Sequence, residues 1–559
     1  MPDARYTAVT FAPVQGFIEK SRKLRDLYGS SFILSYLSHA ICLQAGDTVS
    51  GALRDRVISP AILNLTQGTP NYLIIRGEFQ TEAKAALDTA WKRLANHCRC
   101  WIEAELNEFE YHWKRDWNLW IDHAWEFFSA TGESIDQACQ NLGAVKQSRD
   151  WTGINWTGES STLSGADGIA WPGMNRIVSA KERSLKSDEV EIKEFYDALR
   201  QKLEGSIGKI EKENEAEIRQ EYLSIPELIK RLTTYEQVTA DLQVKVEIPE
   251  SFKTLNRYEE DSWTGWFKGD GDRMGKYLSG LNEQERHAFS RAIMNWGKDF
   301  KKWLPKKKDA KAIDREGRVI YAGGDDFLGV LYREPPRSAE TTQKELTASE
   351  CVDWLQQFPQ FWQQHRQPIT VSVGFVWAAP KVPQRDVLQH CNEAESHAKK
   401  SGRDRIALRV LFNSGTYLEW TCPWRFLPVL QDYRDPQDGK QDWVHFYNDV
   451  AVLDSRHAFR GDQVEVAIAL LNVYFDREHS TDSIWQESDR QEFYSLFNQS
   501  FDVEQNGWWN HDDEKKAGIL GDRNLFLKDG NLDLKKVHQA VNDWISNLAK
   551  LGFHLCSNI

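Results

Sequence analysis

Two short apolar runs, 318–322 and 327–332, flank Gly323-Gly324-Asp325-Asp326, and that pattern dictates a tight β-hairpin with two carboxylates at its tip. Glycine adopts positive φ without steric cost, so Gly323-Gly324 permits both the reversal and the close approach of a phosphate to the backbone. Carboxylates at such a tip are oxygen donors of the kind hard Mg2+ ions prefer. On its own the motif fits either a metal site or an ordinary polar turn.

The surrounding pattern narrows the choice. Lys268-Gly269-Asp270-Gly271-Asp272 ends a strand candidate that begins near Trp263. Asp270 and Asp272 are two residues apart, so an extended chain projects both to one face. A helix over 282–304, the hairpin, a helix after the capping-box pattern Thr347-Ala348-Ser349-Glu350, and the alternation Ile369, Val371, Val373, Phe375 complete the series. This β-α-β-β-α-β order is that of a ferredoxin-like unit, in which the first strand neighbours the hairpin. Asp270, Asp325 and Asp326 then converge, and such a cluster repels itself unless cations neutralise it. Two metal ions ~3.5–4 Å apart there would suit in-line attack on phosphorus.

Further downstream, Ser372-Val373-Gly374 lies within the fourth strand. A helix over 383–400 carries its proline in the first turn, where the missing N–H costs nothing. His397-Ala398-Lys399-Lys400-Ser401-Gly402-Arg403 then leads into a final strand, 405–411. Lys399 as a point charge and Arg403 as a bidentate donor can offset triphosphate charge. The competing explanation is that cations simply favour a helix C-terminus. Their position after the acidic motifs favours phosphate binding.

The 559 residues suggest roughly three to five units. The N-terminal part reads as a strand over 6–14, a helix to about Leu43, strands near 56–62 and 71–79, and a helix over 81–106. That is the beginning of another ferredoxin-like unit. Trp113, Trp117, Trp120 and Trp125 fall at helical spacing, expected as aromatic core or a protein-partner surface rather than a base-stacking platform. The segment 153–173 reads as a loop, 181–232 as charged helices, and 413–559 as mostly helical, with 464–475 its most apolar stretch. The expected division is 1–110, 111–254, 255–412 and 413–559.

With 70 Lys+Arg against 83 Asp+Glu, the formal charge is −13, so nucleic-acid contact has to come from a local basic surface. Lys20, Arg22, Lys23 and Arg25 offer one, reaching RNA phosphate, a neighbouring palm or only solvent. Lys301, Lys302, Lys306, Lys307, Lys308 and Lys311 form a stronger cluster, expected as a solvated loop. The eight cysteines are dispersed without a C-x-x-C pair, which argues against a disulfide framework or a structural zinc site; His97-Cys98-Arg99-Cys100 is the nearest thing to one. No apolar run approaches the ~20 residues that cross a bilayer, and the N-terminus lacks a signal peptide's apolar centre. A cytoplasmic protein without membrane contact is expected.

The series Asp270-Gly271-Asp272, Gly323-Gly324-Asp325-Asp326, Ser372-Val373-Gly374 and Ala398-Lys399-Lys400-Ser401-Gly402-Arg403 resembles the palm of GGDEF and nucleotide-cyclase relatives. Its Gly-Gly-Asp-Asp form, with Asp270-Gly271-Asp272-Arg273-Met274-Gly275, more closely resembles the large polymerase-cyclase subunit of type III CRISPR effectors. Pro13-Val14-Gln15-Gly16-Phe17-Ile18, Ser21-Arg22-Lys23-Leu24-Arg25-Asp26-Leu27, Gly29-Ser30-Ser31 and Pro70-Asn71 are similar to the first palm of the Cmr (III-B) branch.

The resemblance implies an α+β protein with two ferredoxin-like palm domains, a helical domain between them and a helical C-terminal domain. It implies an enzyme that joins ATP into cyclic oligoadenylate when a guide-RNA complex captures target RNA, alongside other Cmr subunits. Carried onto this chain, Asp270, Asp325 and Asp326 would hold two Mg2+ or Mn2+ ions, with the Gly271 carbonyl as a further ligand. Gly323 and Gly324 would admit the nucleotide, Lys399 would grip a triphosphate with Arg403 as helper, and Asp272 would support the site from behind. Relatives often begin with an HD phosphohydrolase domain, for which there is no room before the first palm, and His511-Asp512 lacks the rest of that pattern. No HD DNase is therefore expected. The zinc knuckle that relatives often carry between palms has no cysteines to build it. The competing functions are a stand-alone GGDEF-like nucleotide cyclase and a catalytically silent scaffold of the effector.

Overall fold

The computed structural model describes residues 5–21, 23–46, 56–65, 68–148, 153–154, 156, 158–176, 185–204, 221–240, 262–306, 315–333, 345–460, 463–475, 485–498, 501–511 and 516–557. The chain forms two compact units, one from 1–252 with 279–294, the other from 253–278 with 295–559.

The first unit is built on strands β1 (Tyr6–Ala12), β2 (Val57–Ser59), β3 (Leu73–Arg76) and β4 (Glu126–Gly132), in the antiparallel order β2-β3-β1-β4. This is the ferredoxin-like order with the first strand in the interior. Period-2 alternation sorts the faces. Val9 and Phe11 join the large core made with helices Leu24–Ala45 and Gln80–Glu105, whereas Ala8 packs with Phe128, Ala130, Ala138 and Leu142 on the other side.

The fourth strand corrects the expected boundary at residue 110. β4 lies within the supposed Trp-rich insertion, where its strand signal was masked by aromatic residues read at helical spacing. The helix there is only Lys114–His123; Trp113 caps it and Trp125 stands outside it, edge-on to Phe11 with ring centroids 5.6 Å apart. Trp113 and Trp117 are fully buried in the core.

Lys20, Lys23 and Arg25 near the first helix have partners within the protein. Lys20 pairs with Asp167 at 3.4 Å, Lys23 with Glu221 at 2.6 Å, and Arg25 lies 4.3 Å over the Tyr235 ring. Arg22, Lys307, Lys308, Lys311 and Asp512 lie outside the described residues. His97 Nε2 is 2.5 Å from the Val238 carbonyl, Cys98 is buried, and all eight cysteines are free. Among the described residues no helix is long and apolar enough to cross a membrane.

The second unit contains β5 (Thr264–Gly271), β6 (Arg318–Ala322), β7 (Phe327–Leu331), β8 (Val371–Ala378), β9 (Arg405–Leu411) and β10 (Tyr417–Pro423), ordered β10-β9-β8-β5-β7-β6. β8-β5-β7-β6 repeats the ferredoxin-like order. β9 joins β8 in parallel, which requires a crossover, and the helix Gln384–Lys400 supplies it. β10 then adds an antiparallel edge, so β9 is not the final strand as expected.

Thr347 and Glu350 form the capping box of helix Ala348–Trp362. Pro383 is the N-cap of its helix rather than a first-turn residue. Gly374 on β8 lets the crossover helix lie directly on the strand, since a Cβ there would stand 2.4 Å from the Glu395 backbone nitrogen. Helices Val444–Ser455, Glu465–Phe475, Glu487–Asn498 and Leu534–Cys556 complete the C-terminal region.

Candidate active site at the β6–β7 hairpin

β5 pairs with β7 through Gly269 opposite Phe327, which carries the end of β5 alongside the hairpin tip. The Gly271 N–H donates to the Asp325 carbonyl at 3.2 Å and closes the join. Within the tip the Gly323 N–H donates to the Asp326 carbonyl at 3.3 Å, and Gly324 takes φ +118°. Two elements adjacent in the sheet but distant in sequence thereby bring Asp270, Asp325 and Asp326 together.

The electrostatics record the crowding. Asp325 is held well above the usual carboxylate range, by burial first, then by the Asp270 charge and a hydrogen bond shared with that carboxyl, then by Asp326. Asp326 is pushed up to about 6, chiefly by burial, with Asp270 and Glu395 adding to the rise and Lys268 opposing it. The Tyr321 hydroxyl donates to both Asp326 oxygens at 3.3 and 3.2 Å.

Lys399 reaches into this cluster from the crossover helix. Its ammonium pairs with Asp270 and, at 2.6 Å, with Glu395. Burial pulls its pKa down, but the two carboxylates outweigh that and raise it. Glu395 is also 3.9 Å from Lys268, whose ammonium donates to Asn392 Oδ1 at 2.8 Å. Lys268, Tyr321, Asn392 and Glu395 belong to the site, yet no role was assigned to them from sequence. Spacing could have found three of them. Asn392, Glu395 and Lys399 share one helix face, and Lys268 shares a strand face with Asp270.

Asp272 follows the end of β5 at Gly271, and its N–H still donates to the Thr370 carbonyl at 2.8 Å. Its buried carboxylate accepts from Thr370 Oγ1 at 2.8 Å, Ser372 Oγ at 2.6 Å and the Asp404 N–H at 3.0 Å. That last bond anchors a run of three left-handed residues, Gly402 (φ +124°), Arg403 (φ +67°) and Asp404 (φ +51°). For the two non-glycine residues this conformation costs about 1–2 kcal/mol each and persists only when surrounding bonds impose it. Arg403 is displayed there, half-buried, with no hydrogen bond or ion pair to its guanidinium among the described residues.

Among the described residues no three His, Cys, Asp or Glu side chains are gathered as a formed metal cage. The donors present are all carboxylate oxygens, mutually repelling and balanced by Lys399, and that chemistry suits a hard divalent cation.

Two family models match parts of the chain. The family described as "Cas10/Cmr2, second palm domain" matches residues 264–407, and "CRISPR-associated protein Cmr2, N-terminal" matches residues 6–96. No curated protein matches the chain. Similar solved structures include the type III-B Cmr-beta complex in its apo state, at 12% identity and TM-score 0.49, covering 86% of this chain and 78% of that one. Others are Csm1 of the type III-A Csm1–Csm4 subcomplex (14% identity, TM-score 0.43, 99% of this chain and 70% of that one) and Csm1 from T. onnurineus (12%, 0.43, 99% and 70%). Residues 264–407 are thus matched by the Cas10/Cmr2 second palm domain, and residues 6–96 by the Cmr2 N-terminal family.

Proposed function

We propose that this chain is the large subunit of a type III-B RNA-guided effector and synthesises cyclic oligoadenylate from ATP when target RNA binds the assembled complex. The observation that carries the reading is the convergence of Asp270, Asp325 and Asp326 beside Lys399.

In the reaction, the 3′-hydroxyl of one ATP attacks the α-phosphorus of another and pyrophosphate leaves. Repetition and a final internal attack close the ring. Asp270, Asp325 and Asp326, with the Gly271 carbonyl, would hold Mg2+ or Mn2+, which when bound supplies charge neutralisation at the phosphates. The protein's own part is positioning and electrostatics. Lys399, freed from Asp270, takes the triphosphate while Glu395 keeps its stem in place. Arg403 adds a forked donor from the 402–404 loop. Gly323 and Gly324 leave the hairpin backbone open to phosphate, and Tyr321 and Lys268 orient Asp326 and Glu395. Other Cmr subunits, guide RNA and target RNA are the partners this reading requires.

The test is to assemble the full chain with its partner subunits, guide RNA and target RNA, and to supply ATP or GTP with Mg2+ or Mn2+. Oligoadenylate that depends on target RNA and is lost in Asp325→Ala/Asp326→Ala supports the reading. Cyclic dinucleotide made by the isolated chain would instead identify a stand-alone cyclase, and no turnover with RNA bound would identify a scaffold.

A further inference from the structure

Arg405, the first residue of β9, is fully buried, and among the described residues its guanidinium is hydrogen-bonded to no carboxylate. Its bonds go instead to main-chain carbonyls and one amide: Nε to Arg403 O at 3.0 Å, Nη1 to Ile519 O at 3.3 Å, and Nη2 to Gly518 O and Asn510 Oδ1, both at 3.1 Å. Asn510 completes the link from its other end, donating Nδ2 to Gly402 O at 2.8 Å, while its Oδ1 also accepts the Gly518 N–H at 3.0 Å. Asn510 and Gly521 are pressed onto the loop. A Cβ on Gly521 would lie 1.6 Å from Ser401 O, and one on Gly402 would lie 2.5 Å from Asn510 Nδ2.

Of these three successive left-handed residues, Gly402 therefore has its carbonyl held by Asn510, Arg403 its carbonyl held by Arg405, and Asp404 its N–H held by Asp272. The same loop begins just after Lys399, the Gly402 N–H reaching back to the Lys399 carbonyl at 3.4 Å. A guanidinium committed to carbonyls is a device for fixing backbone geometry, since each planar N–H has one direction and five are available.

We propose that Arg405 and Asn510 act as positioning residues: they form a strut through which the C-terminal stretches 509–511 and 516–521 set the 402–404 loop, and so the reach of Arg403 towards the phosphates of the nucleotide. This rests on the synthase reading. It makes the C-terminal segment part of the phosphate site, and any event that moves that segment alters nucleotide binding at the hairpin.

Asn510→Asp separates the strut from general packing. It preserves the acceptor for Arg405 and for the Gly518 N–H but replaces the Gly402 donor with a carboxylate oxygen facing a carbonyl. In the full RNA-bound complex with ATP, the expected result is an ATP KM raised about tenfold with kcat and melting temperature little changed, because the packing of the unit is kept while the placement of the loop is lost. Arg405→Lys, which keeps the charge but loses the bridging Nη donors, gives the same KM rise. Combining Asn510→Asp with Arg403→Ala adds no further rise, because both act through one group. Wild-type KM in both single variants, or effects that multiply with Arg403→Ala, overturns the proposal. Asp325→Ala/Asp326→Ala run in parallel keeps the two ideas apart: its full activity sinks the synthase reading, whereas its inactivity beside an unchanged Asn510→Asp KM sinks the strut alone.

Discussion

Lys399 forms an ion pair with Asp270, a residue 129 positions earlier in the chain. The cation assigned to the nucleotide's phosphates thus rests on a carboxylate assigned to the metal ions, and loading the site means exchanging one cation for another.

Removing that internal cation leaves Asp270 and Glu395 facing Asp325 and Asp326 with Lys268 as the remaining compensating charge. Lys399→Met is expected to lower stability by about 1–3 kcal/mol without divalent metal. Millimolar Mn2+ then raises the melting temperature of the variant more than that of the wild type. Equal Mn2+ responses would show that Lys399 and the divalent ion do not compete.

Asp326 gives a pH-dependent signature. Its folded-state pKa, about 6, lies above the ordinary 3.8, so the folded chain resists its ionisation. The resulting cost is complete above pH 6 and fades as pH falls from about 6 towards about 4. Asp326→Asn should therefore stabilise the metal-free protein at pH 7.5 by on the order of 1–2 kcal/mol, less so at pH 5, while abolishing turnover. A gain that does not shrink with falling pH contradicts this.

Asp272 is held by Thr370, Ser372 and the Asp404 N–H, and its loss removes three bonds to a buried charge. Asp272→Ala is expected to cost about 2–4 kcal/mol in denaturant unfolding and to weaken ATP binding through the released 402–404 loop. Unchanged ATP binding in a destabilised variant would confine its role to folding.

Gly374→Ala drives a methyl group into the backbone of the helix that carries Glu395 and Lys399, at an expected cost of about 1–3 kcal/mol. Gly275→Ala, where a Cβ meets nothing within 4 Å, is the matched control and is expected to be neutral or slightly stabilising in thermal melts.

Local signals made much of the second palm readable. The apolar runs around Gly323-Gly324 gave β6 its observed bounds, Arg318–Ala322, and the Thr347/Glu350 pair marked its helix start correctly. What failed was non-local. The partner of Lys20, Asp167, lies 147 residues away, and Lys23 pairs with Glu221, also remote in the sequence, which no local signal shows. No local signal shows that Thr370, Ser372 and the Asp404 N–H hold the Asp272 carboxylate. β4 and β10 were hidden by aromatic residues whose spacing suits either a helix or a buried strand.

The most direct measurement is the anomalous-scattering map of the full chain crystallised with Mn2+ and a non-hydrolysable ATP analogue. Mn2+ is expected on Asp270, Asp325 and Asp326, with Lys399 moved from Asp270 to the triphosphate. Nucleotide bound with Mn2+ away from these carboxylates, and Lys399 still paired with Asp270, would contradict the synthase mechanism.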